Sequence, residues 1–241
     1  QTFNTMMADF FELSDGSLQA AKEIAAKLTN YSSVVGVGGG RVLDAAKYAA
    51  SQANLPMIAV ATNLAHDGIA SPVSILEHDG TRSSHGVSVP AAVLIDLDVV
   101  RSGPVRFLRA GIGDVLSNLN AVADWELARE VNGEEVDGLA ASMSRTAATS
   151  LLNHPGTIED PGFLTTLAEG LVLSGLAMAV AGTSRPCSGA CHEISHAIDM
   201  VLPEKSAPHG EQVAVGALFA TYLRGANAEF NQLHDALFRH G

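Results

Sequence analysis

Residues 34–50 constrain the fold of this chain more than any other segment, because a short β-branched run changes through a cluster of glycines into an amphipathic helix pattern. The glycines are Gly36, Gly38, Gly39 and Gly40. A strand that turns into a helix on glycines presents bare N–H groups at the positive helix end, which favours phosphate binding. The pattern is not the usual G-x-G-x-x-G, because Arg41 stands where the last glycine would be. The segment predicts a pyrophosphate site, with a tight turn that needs glycine as the alternative.

The first part of the chain has the pattern of alternating helices and strands. Residues 16–30 place apolar side chains at helical spacing, and residues 55–63 and 91–100 have the composition of buried strands. Strands that alternate with helices predict a parallel sheet with right-handed crossovers. We therefore expect an α/β dinucleotide-binding domain over residues 1–102.

The second part of the chain predicts an all-α domain over residues 103–241. The β-branched runs end near residue 102, and Ser-Gly-Pro at 102–104 interrupts regular structure. Long patterns rich in Ala and Leu follow, and they predict helices at 109–130, 134–152, 163–183, 188–201 and 210–230. Because these helices are long and rich in alanine, we also expect a homo-oligomer.

The charge and cysteine content exclude some classes of partner. Fourteen Lys and Arg oppose 26 Asp and Glu, and the net charge of −12 would repel a nucleic acid. The two cysteines, Cys187 and Cys191, are too few for a disulfide framework and are typical of a reducing compartment, so we expect a cytoplasmic protein. We see neither a basic and apolar leader nor a run of about eighteen apolar residues, and we expect no membrane span.

Residues 192–196 read HEISH, which matches the H-E-x-x-H motif and sets His192 and His196 one helical turn apart. In a zinc peptidase both histidines would bind zinc and Glu193 would be the general base. The motif is short, however, and peptide hydrolysis has no use for a glycine-rich phosphate loop. The peptidase is therefore a remote alternative.

A further histidine and an aspartate extend the set of candidate metal ligands. His209 follows Pro208 at the predicted start of a helix, and Asp114 follows two glycines in a similar position. Two imidazoles and one carboxylate leave coordination positions open for a substrate oxygen, as in catalytic metal sites. Each residue has another interpretation: Asp114 could cap its helix, and His209 could be a loop residue.

Taken together, these segments resemble sn-glycerol-1-phosphate dehydrogenase, within the superfamily of iron-containing alcohol dehydrogenases, glycerol dehydrogenases and dehydroquinate synthases. Five segments occur in the family's order over almost the whole chain: GVGGGRVLDAAKYAA, ATNLAHDGIASPVSI, AGIGDVLSNLNAVADWELA, SRPCSGACHEISHAIDM and HGEQVAVG. The resemblance implies a dehydroquinate synthase-like fold, in which the α/β dinucleotide-binding domain precedes an all-α metal-binding domain.

The resemblance also implies roles for individual residues. It implies that Asp114, His192 and His209 bind one divalent metal, which we expect to be zinc, with iron and nickel as alternatives. It implies that His196 faces the substrate together with Asp67 and Asp114, so that the HEISH match is coincidental. The residues implied to contact the NAD(P)H cofactor are Gly38, Gly39, Gly40, Arg41, Asp44, Thr62, Asn63, Leu64, Ala65 and Ser71. His66 is expected to be a local structural residue.

The reaction that the resemblance implies is hydride transfer to dihydroxyacetone phosphate, giving sn-glycerol 1-phosphate, while the metal polarises the carbonyl. Contacts to the substrate phosphate are expected from Arg185, Lys205 or backbone amides near Ser188 and Gly189. The alternatives are a glycerol dehydrogenase, an NAD-dependent sugar-phosphate cyclase of the dehydroquinate synthase type, or a noncatalytic remnant. The DGIASP and SRPCSG segments favour the dehydrogenase.

The chain departs from the family pattern in two ways. Cys191 stands where an acidic residue is expected before the ligand histidine. Family members also carry a strand and helix before the first residue of this chain and more helix beyond Gly241. We therefore expect that the α/β domain lacks its N-terminal strand and that the helical domain is clipped at its C-terminus.

Overall fold

The computed structural model describes residues 8–240. The strands are β1 (Val34–Gly38), β2 (Met57–Ala61), β3 (Val73–His78), β4 (Thr81–Gly86) and β5 (Ala92–Ile95). The helices are α1 (Leu18–Ala25), α2 (Gly40–Gln52), α3 (Leu97–Ser102), α4 (Val105–Asn132), α5 (Gly138–Leu152), α6 (Pro161–Ala181), α7 (Ala190–Val201), α8 (His209–Leu223) and α9 (Asn227–His240). Short 3-10 turns lie at Asp67–Ile69 and Pro203–Lys205.

The sheet is parallel, with the strand order β1-β2-β5, and helices follow it in the chain. The predicted α/β part followed by helices is thus confirmed. The division into domains at residues 102–104 stays a prediction. Strands β3 and β4 form a separate antiparallel hairpin, which turns at Asp79 and Gly80, both with positive φ.

The two faces of the sheet differ in their surroundings. On the inner face, Met57 and Ala59 of β2 are buried and join Leu43 of α2 in the core. On the outer face, Val35 and Val37 of β1 and Leu94 of β5 keep 53%, 58% and 54% of their surface exposed. Their neighbours in register are also apolar, so the outer face of the sheet is an apolar strip open to solvent.

The core extends without interruption from the inner face of the sheet into the helices. Its cluster of buried residues contains Ala61 of β2, Ile112 of α4 and Phe163 of α6. Helix α6 could cross a membrane by length and composition alone, although Thr165, Thr166 and Glu169 interrupt its apolar sequence. However, 56% of its apolar window is buried, as in the central helix of a protein core.

Several predicted elements were wrong in extent, and the hairpin was not predicted. The helix predicted at 16–30 ends at Ala25, and α4 starts at Val105, so Asp114 lies well inside this helix and not near its start. The strand predicted at 91–100 ends at Ile95, because the Asp96 side chain accepts hydrogen bonds from two backbone N–H groups and starts α3. The helix predicted at 210–230 ends at Leu223, and Gly225 turns the chain with a φ of 71° before α9. The hairpin escaped prediction because β4 has the sequence TRSSHG, which lacks apolar alternation.

The buried ammonium group of Lys47 ties α2 to the segments that follow β2. The side chain of Lys47 is fully buried, and its Nζ lies 3.0 Å from Asp44 Oδ1. Lys47 Nζ also donates to the carbonyl oxygens of Gly68, at 2.7 Å, and of Val73. Burial raises the pKa of Asp44, and the charge of Lys47 opposes this rise. The ammonium group therefore has its partners inside the protein, on three separate segments.

We expect Lys47→Met to lower the free energy of unfolding by about 3–5 kcal/mol, because it leaves the Asp44 carboxylate buried without its cation. Denaturant unfolding measures the change. The double variant Asp44→Asn/Lys47→Met should recover part of the loss, since no buried charge remains. Lys22→Met, on the exposed surface of α1, is the matched control and should be neutral. Equal stability of Lys47→Met and the wild type would contradict this account.

Candidate metal and nucleotide site

Three helices bring Asp114, His192 and His209 together. Asp114 lies in α4, His192 in the first turn of α7, and His209 is the first residue of α8. One ligand atom of each residue lies within 4.8 Å of those of the other two. Asp114 and His192 are buried, whereas the His209 side chain keeps 32% of its surface exposed. The group is thus closed by protein on one side and accessible at His209.

Glycines allow these helices to touch backbone to backbone beside each candidate ligand. A Cβ on Gly210 would overlap the carbonyl oxygen of Ala110, and one on Gly113 would overlap that of Gly210, so α4 and α8 meet there. A Cβ on Gly216 would lie 2.6 Å from the carbonyl oxygen of Cys191, where α7 and α8 meet. Each contact involves the residue next to a candidate ligand. The helix crossings therefore fix the distances between the donor atoms.

Two carboxyl groups share the centre of the site. The backbone N–H of Asp67 donates to Asp114 Oδ2 at 2.8 Å. Burial, and then the charge of Asp67, raise the pKa of Asp114 well above its usual value. Burial raises the pKa of Asp67 to about 6, while the charge of Lys47 opposes this rise and the charge of Asp44 adds to it. The charge of Lys47 compensates only part of the effect of burial, so the pair favours a proton or a cation between its carboxylates.

The histidines are held in the neutral form that a metal ligand requires. Burial, followed by the charge of His209, lowers the pKa of His192 well below its usual value. Burial, followed by the charge of His196, lowers the pKa of His209 to about 4. Two neutral imidazoles beside a carboxylate in need of positive charge are a donor set that fits a divalent cation.

His196 lies beside this group but does not belong to it. It is exposed, and its ring centre is 6.4 Å from that of His209, whereas His192 and His209 are 4.9 Å apart. Glu193 is also exposed. The structure therefore groups His192 with Asp114 and His209, and not with the second histidine of the HEISH motif.

Cys191, the departure from the family pattern, faces the protein interior. It is fully buried, and its Sγ lies 3.3 Å from His192 Nδ1. Burial raises the pKa of this thiol to about 11, so the group stays protonated. Its neutral side chain avoids placing a buried acid beside the candidate ligand His192.

The candidate nucleotide turn lies at the carboxyl ends of β1 and β2. The backbone N–H of Thr62 donates to the carbonyl oxygen of Gly38 at 3.0 Å. A Cβ on Gly39 would overlap the amide nitrogen of the Asn63 side chain, and one on Gly40 would overlap the imidazole of His66. These glycines therefore allow the loop after β2 to approach the start of α2.

The other predicted nucleotide contacts differ in accessibility. Arg41 is exposed and Ala65 half-buried, whereas Leu64 is fully buried in the core. Asp44 is bound to Lys47, and the Ser71 hydroxyl donates to the carbonyl oxygen of Val73 at 3.2 Å. The roles assigned to all these residues stay predictions.

The residues predicted to bind the substrate phosphate are either bound to other residues or exposed to solvent. Arg185 donates two hydrogen bonds to the Glu134 carboxylate, at 2.7 and 2.5 Å. Gly189 lies against Asp124, which accepts from the backbone N–H of Ala190 at 2.8 Å and so starts α7. Lys205 is exposed in its 3-10 turn.

Sequence reasoning missed the residues that support the site. Lys47, Ser195 and Gln212 are buried polar side chains with partners on neighbouring elements. The one available signal is spacing, since Ser195 follows His192 by one helical turn and Gln212 follows His209 by one turn.

Comparisons with known proteins agree with this architecture. A family model described as iron-containing alcohol dehydrogenase matches residues 4–104. Over 235 residues the chain is 43% identical to "Glycerol-1-phosphate dehydrogenase [NAD(P)+]" of Thermofilum pendens, a match that covers 96% of this chain and 67% of that protein. The protein of the same name from Archaeoglobus fulgidus is 39% identical over 227 residues, covering 92% of this chain and 64% of its own length. The chain thus spans about two thirds of the length of these relatives.

Solved structures have the same fold. Glycerol dehydrogenase from Schizosaccharomyces pombe has a TM-score of 0.77 at 25% identity, over 94% of this chain and 60% of that one. A probable glycerol dehydrogenase from Sinorhizobium meliloti has a TM-score of 0.75 at 22% identity, over 92% of this chain and 66% of that one.

We expect Gly210→Ala to weaken zinc binding and to lower stability by about 1–3 kcal/mol, because the added methyl group would push α8 away from the Ala110 carbonyl. Thermal unfolding with and without zinc measures both effects. Gly138→Ala is the matched control, since nothing lies within 4 Å of a Cβ there. If the two variants behave alike, the backbone contact does not set the site geometry.

Proposed function

The chain belongs to the glycerol-1-phosphate dehydrogenase family within the iron-containing alcohol dehydrogenases, and we propose that it reduces dihydroxyacetone phosphate to sn-glycerol 1-phosphate with NAD(P)H. The observation that carries the proposal is the convergence of Asp114, His192 and His209 on one centre. The peptidase alternative loses its support, because His196 stands outside this group.

One divalent metal would be held by Asp114, His192 and His209, and zinc is our proposal among zinc, iron and nickel. When bound, the metal supplies polarisation of the substrate carbonyl, and the dinucleotide supplies the hydride. The partial exposure of His209 leaves this side of the centre open to a small substrate.

Two residues around this centre are proposed to bind substrate. Asp67 is held against Asp114 by its backbone N–H, and its carboxyl, with a pKa near 6, is proposed to contact a substrate hydroxyl. His196 stands on the exposed side beside His209, where a ring nitrogen is proposed to donate the proton that the product oxygen gains.

The start of α2 is proposed to bind the pyrophosphate of the dinucleotide. Backbone N–H groups of Gly39 and Gly40 lie at the positive end of this helix, and Gly38 precedes them. The remaining proposed contacts are Arg41, Asp44, Thr62, Asn63, Leu64, Ala65 and Ser71. The buried members, Asp44, Leu64 and Ser71, would act by shaping the loop after β2, since they present little surface.

Location and assembly are also part of the proposal. Cys187 and Cys191 are both buried free thiols, which is compatible with a reducing compartment, and we propose a cytoplasmic protein. Residues 1–102 and 103–241 are proposed as its two domains, and a homo-oligomer as its assembly.

The test is the nicotinamide absorbance of the purified zinc-loaded chain with NADPH or NADH and dihydroxyacetone phosphate. We expect lasting oxidation of the cofactor. Oxidation with dihydroxyacetone alone would instead favour a glycerol dehydrogenase, the named activity of the Schizosaccharomyces pombe structure. If the metal-bound chain shows no lasting oxidation of the cofactor, the proposal is contradicted. Substrate turnover without lasting cofactor oxidation would be typical of a cyclase.

We expect Asp114→Asn to lose zinc and to lower the rate at least about 100-fold, because even losing a partner of a metal ligand costs 10–100-fold. Metal content and rate are measured on the same sample. Asp98→Asn, an exposed acid in the first turn of α3, is the control and should keep both. Zinc retained by Asp114→Asn at wild-type affinity would tell against this ligand set.

A further inference from the structure

The two ring nitrogens of His209 have different surroundings. Nε2 faces the metal centre, 3.8 Å from Asp114 Oδ1. Nδ1 faces the interior between α7 and α8, where it lies 3.3 Å from the hydroxyl oxygen of Ser195. Ser195 is fully buried on α7, one helical turn after His192. A single hydroxyl thus stands behind one candidate ligand and on the same helix as another.

Gln212 fixes the position of this hydroxyl. Its Nε2 donates to Ser195 Oγ at 3.0 Å and to Asp199 Oδ1 at 3.0 Å, and it lies 3.3 Å from the carbonyl oxygen of Ser195. Its Oε1 accepts from the backbone N–H of Ala207 at 3.0 Å, which sets the orientation of the amide. Only 4% of Gln212 is exposed. The side chain therefore has partners on both its polar atoms and little freedom to turn.

The contacts of Ser195 Oγ can support the tautomer of His209 that a metal ligand requires. The amide nitrogen of Gln212 can only donate, so it occupies one lone pair of Ser195 Oγ. When Nε2 holds a metal, the proton of His209 is on Nδ1, and the second lone pair of Ser195 Oγ, 3.3 Å away, is placed to accept it. An unprotonated Nε2 on the side of Asp114 is the form in which an imidazole binds a metal.

We propose that Ser195 and Gln212 are positioning residues that hold His209 in the tautomer with the proton on Nδ1 and Nε2 ready for the metal. This inference rests on the proposed function, because it assumes the metal site described there. It concerns residues for which sequence motifs assign no role. Gln212 acts through Ser195, and Ser195 acts through His209.

The outer end of the network adds little to this effect. Asp199 also accepts from the Ser206 hydroxyl at 2.5 Å, and its other oxygen lies 3.7 Å from Arg82 Nη1 on β4. The Arg82 side chain is 68% exposed, and exposed ion pairs of this kind contribute little. The buried contacts of Ser195 and Gln212 therefore carry the proposal.

The test compares zinc affinities, measured by competition with a chelator, and the visible spectrum of the cobalt-loaded chain. Ser195→Ala and Gln212→Leu should each weaken zinc binding about 10–100-fold and alter the cobalt spectrum. Ser195→Thr keeps the hydroxyl and should restore affinity. Thr221→Val is the matched control, because it removes a buried α8 hydroxyl that donates within its own helix, to Ala217.

The outcomes separate this inference from the proposed function. A wild-type chain that binds no zinc would overturn the proposed function and this inference with it. Zinc affinities of both variants within twofold of a zinc-binding wild type would overturn the inference alone. So would an equal loss in Thr221→Val, which would indicate general destabilisation. If Gln212 acts through Ser195, the double variant should lose no more affinity than the weaker-binding single variant, and fully additive losses would contradict that order.

Discussion

Close contact between the backbones of α4, α7 and α8 is the constraint on which the site depends. Gly113 and Gly210 bring α4 against α8, and Gly216 brings α8 against Cys191 of α7. Each candidate metal ligand is next in sequence to one of these contacts. The positions of the helix backbones therefore bring the three ligand side chains to a common point. A rigid scaffold of this kind holds two acids and two imidazoles in a buried space where, in the absence of a cation, they would be costly.

The same centre is connected to the candidate nucleotide turn by a continuous set of polar contacts. Lys47 of α2 pairs with Asp44 and binds the carbonyl oxygen of Gly68, within the 3-10 turn that also contains Asp67. The backbone N–H of Asp67 then reaches the carboxylate of Asp114. Only these two hydrogen bonds and the 3-10 turn separate α2 from Asp114. A displacement of α2 would therefore move the partner of the Asp114 carboxylate, which links the proposed cofactor turn to the proposed metal site.

Local patterns predicted the parallel sheet and the order of the helices, because strand, glycine turn and helix each have a short-range signature. They failed at Asp96, whose side chain starts a helix within a run of apolar residues that predicted a longer strand. They also failed at β4, whose polar sequence lacks the alternation typical of a strand. The grouping of Asp114 and His209 came from the order of motifs in a resemblance, since nothing local links them. Lys47 and Gln212 were not predicted, because their roles depend on contacts between elements distant in sequence.

The outer face of the β1-β2-β5 sheet has a consequence for how the chain behaves in solution. Valine and leucine side chains there are more than half exposed, although parallel sheets are normally covered on both faces. The net charge of −12 keeps molecules apart at long range, but salt screens that repulsion over roughly 10 Å at 0.1 M while leaving apolar attraction intact. Colloidal stability will therefore decrease as ionic strength rises, and dispersing the protein for metal or activity measurements calls for low salt.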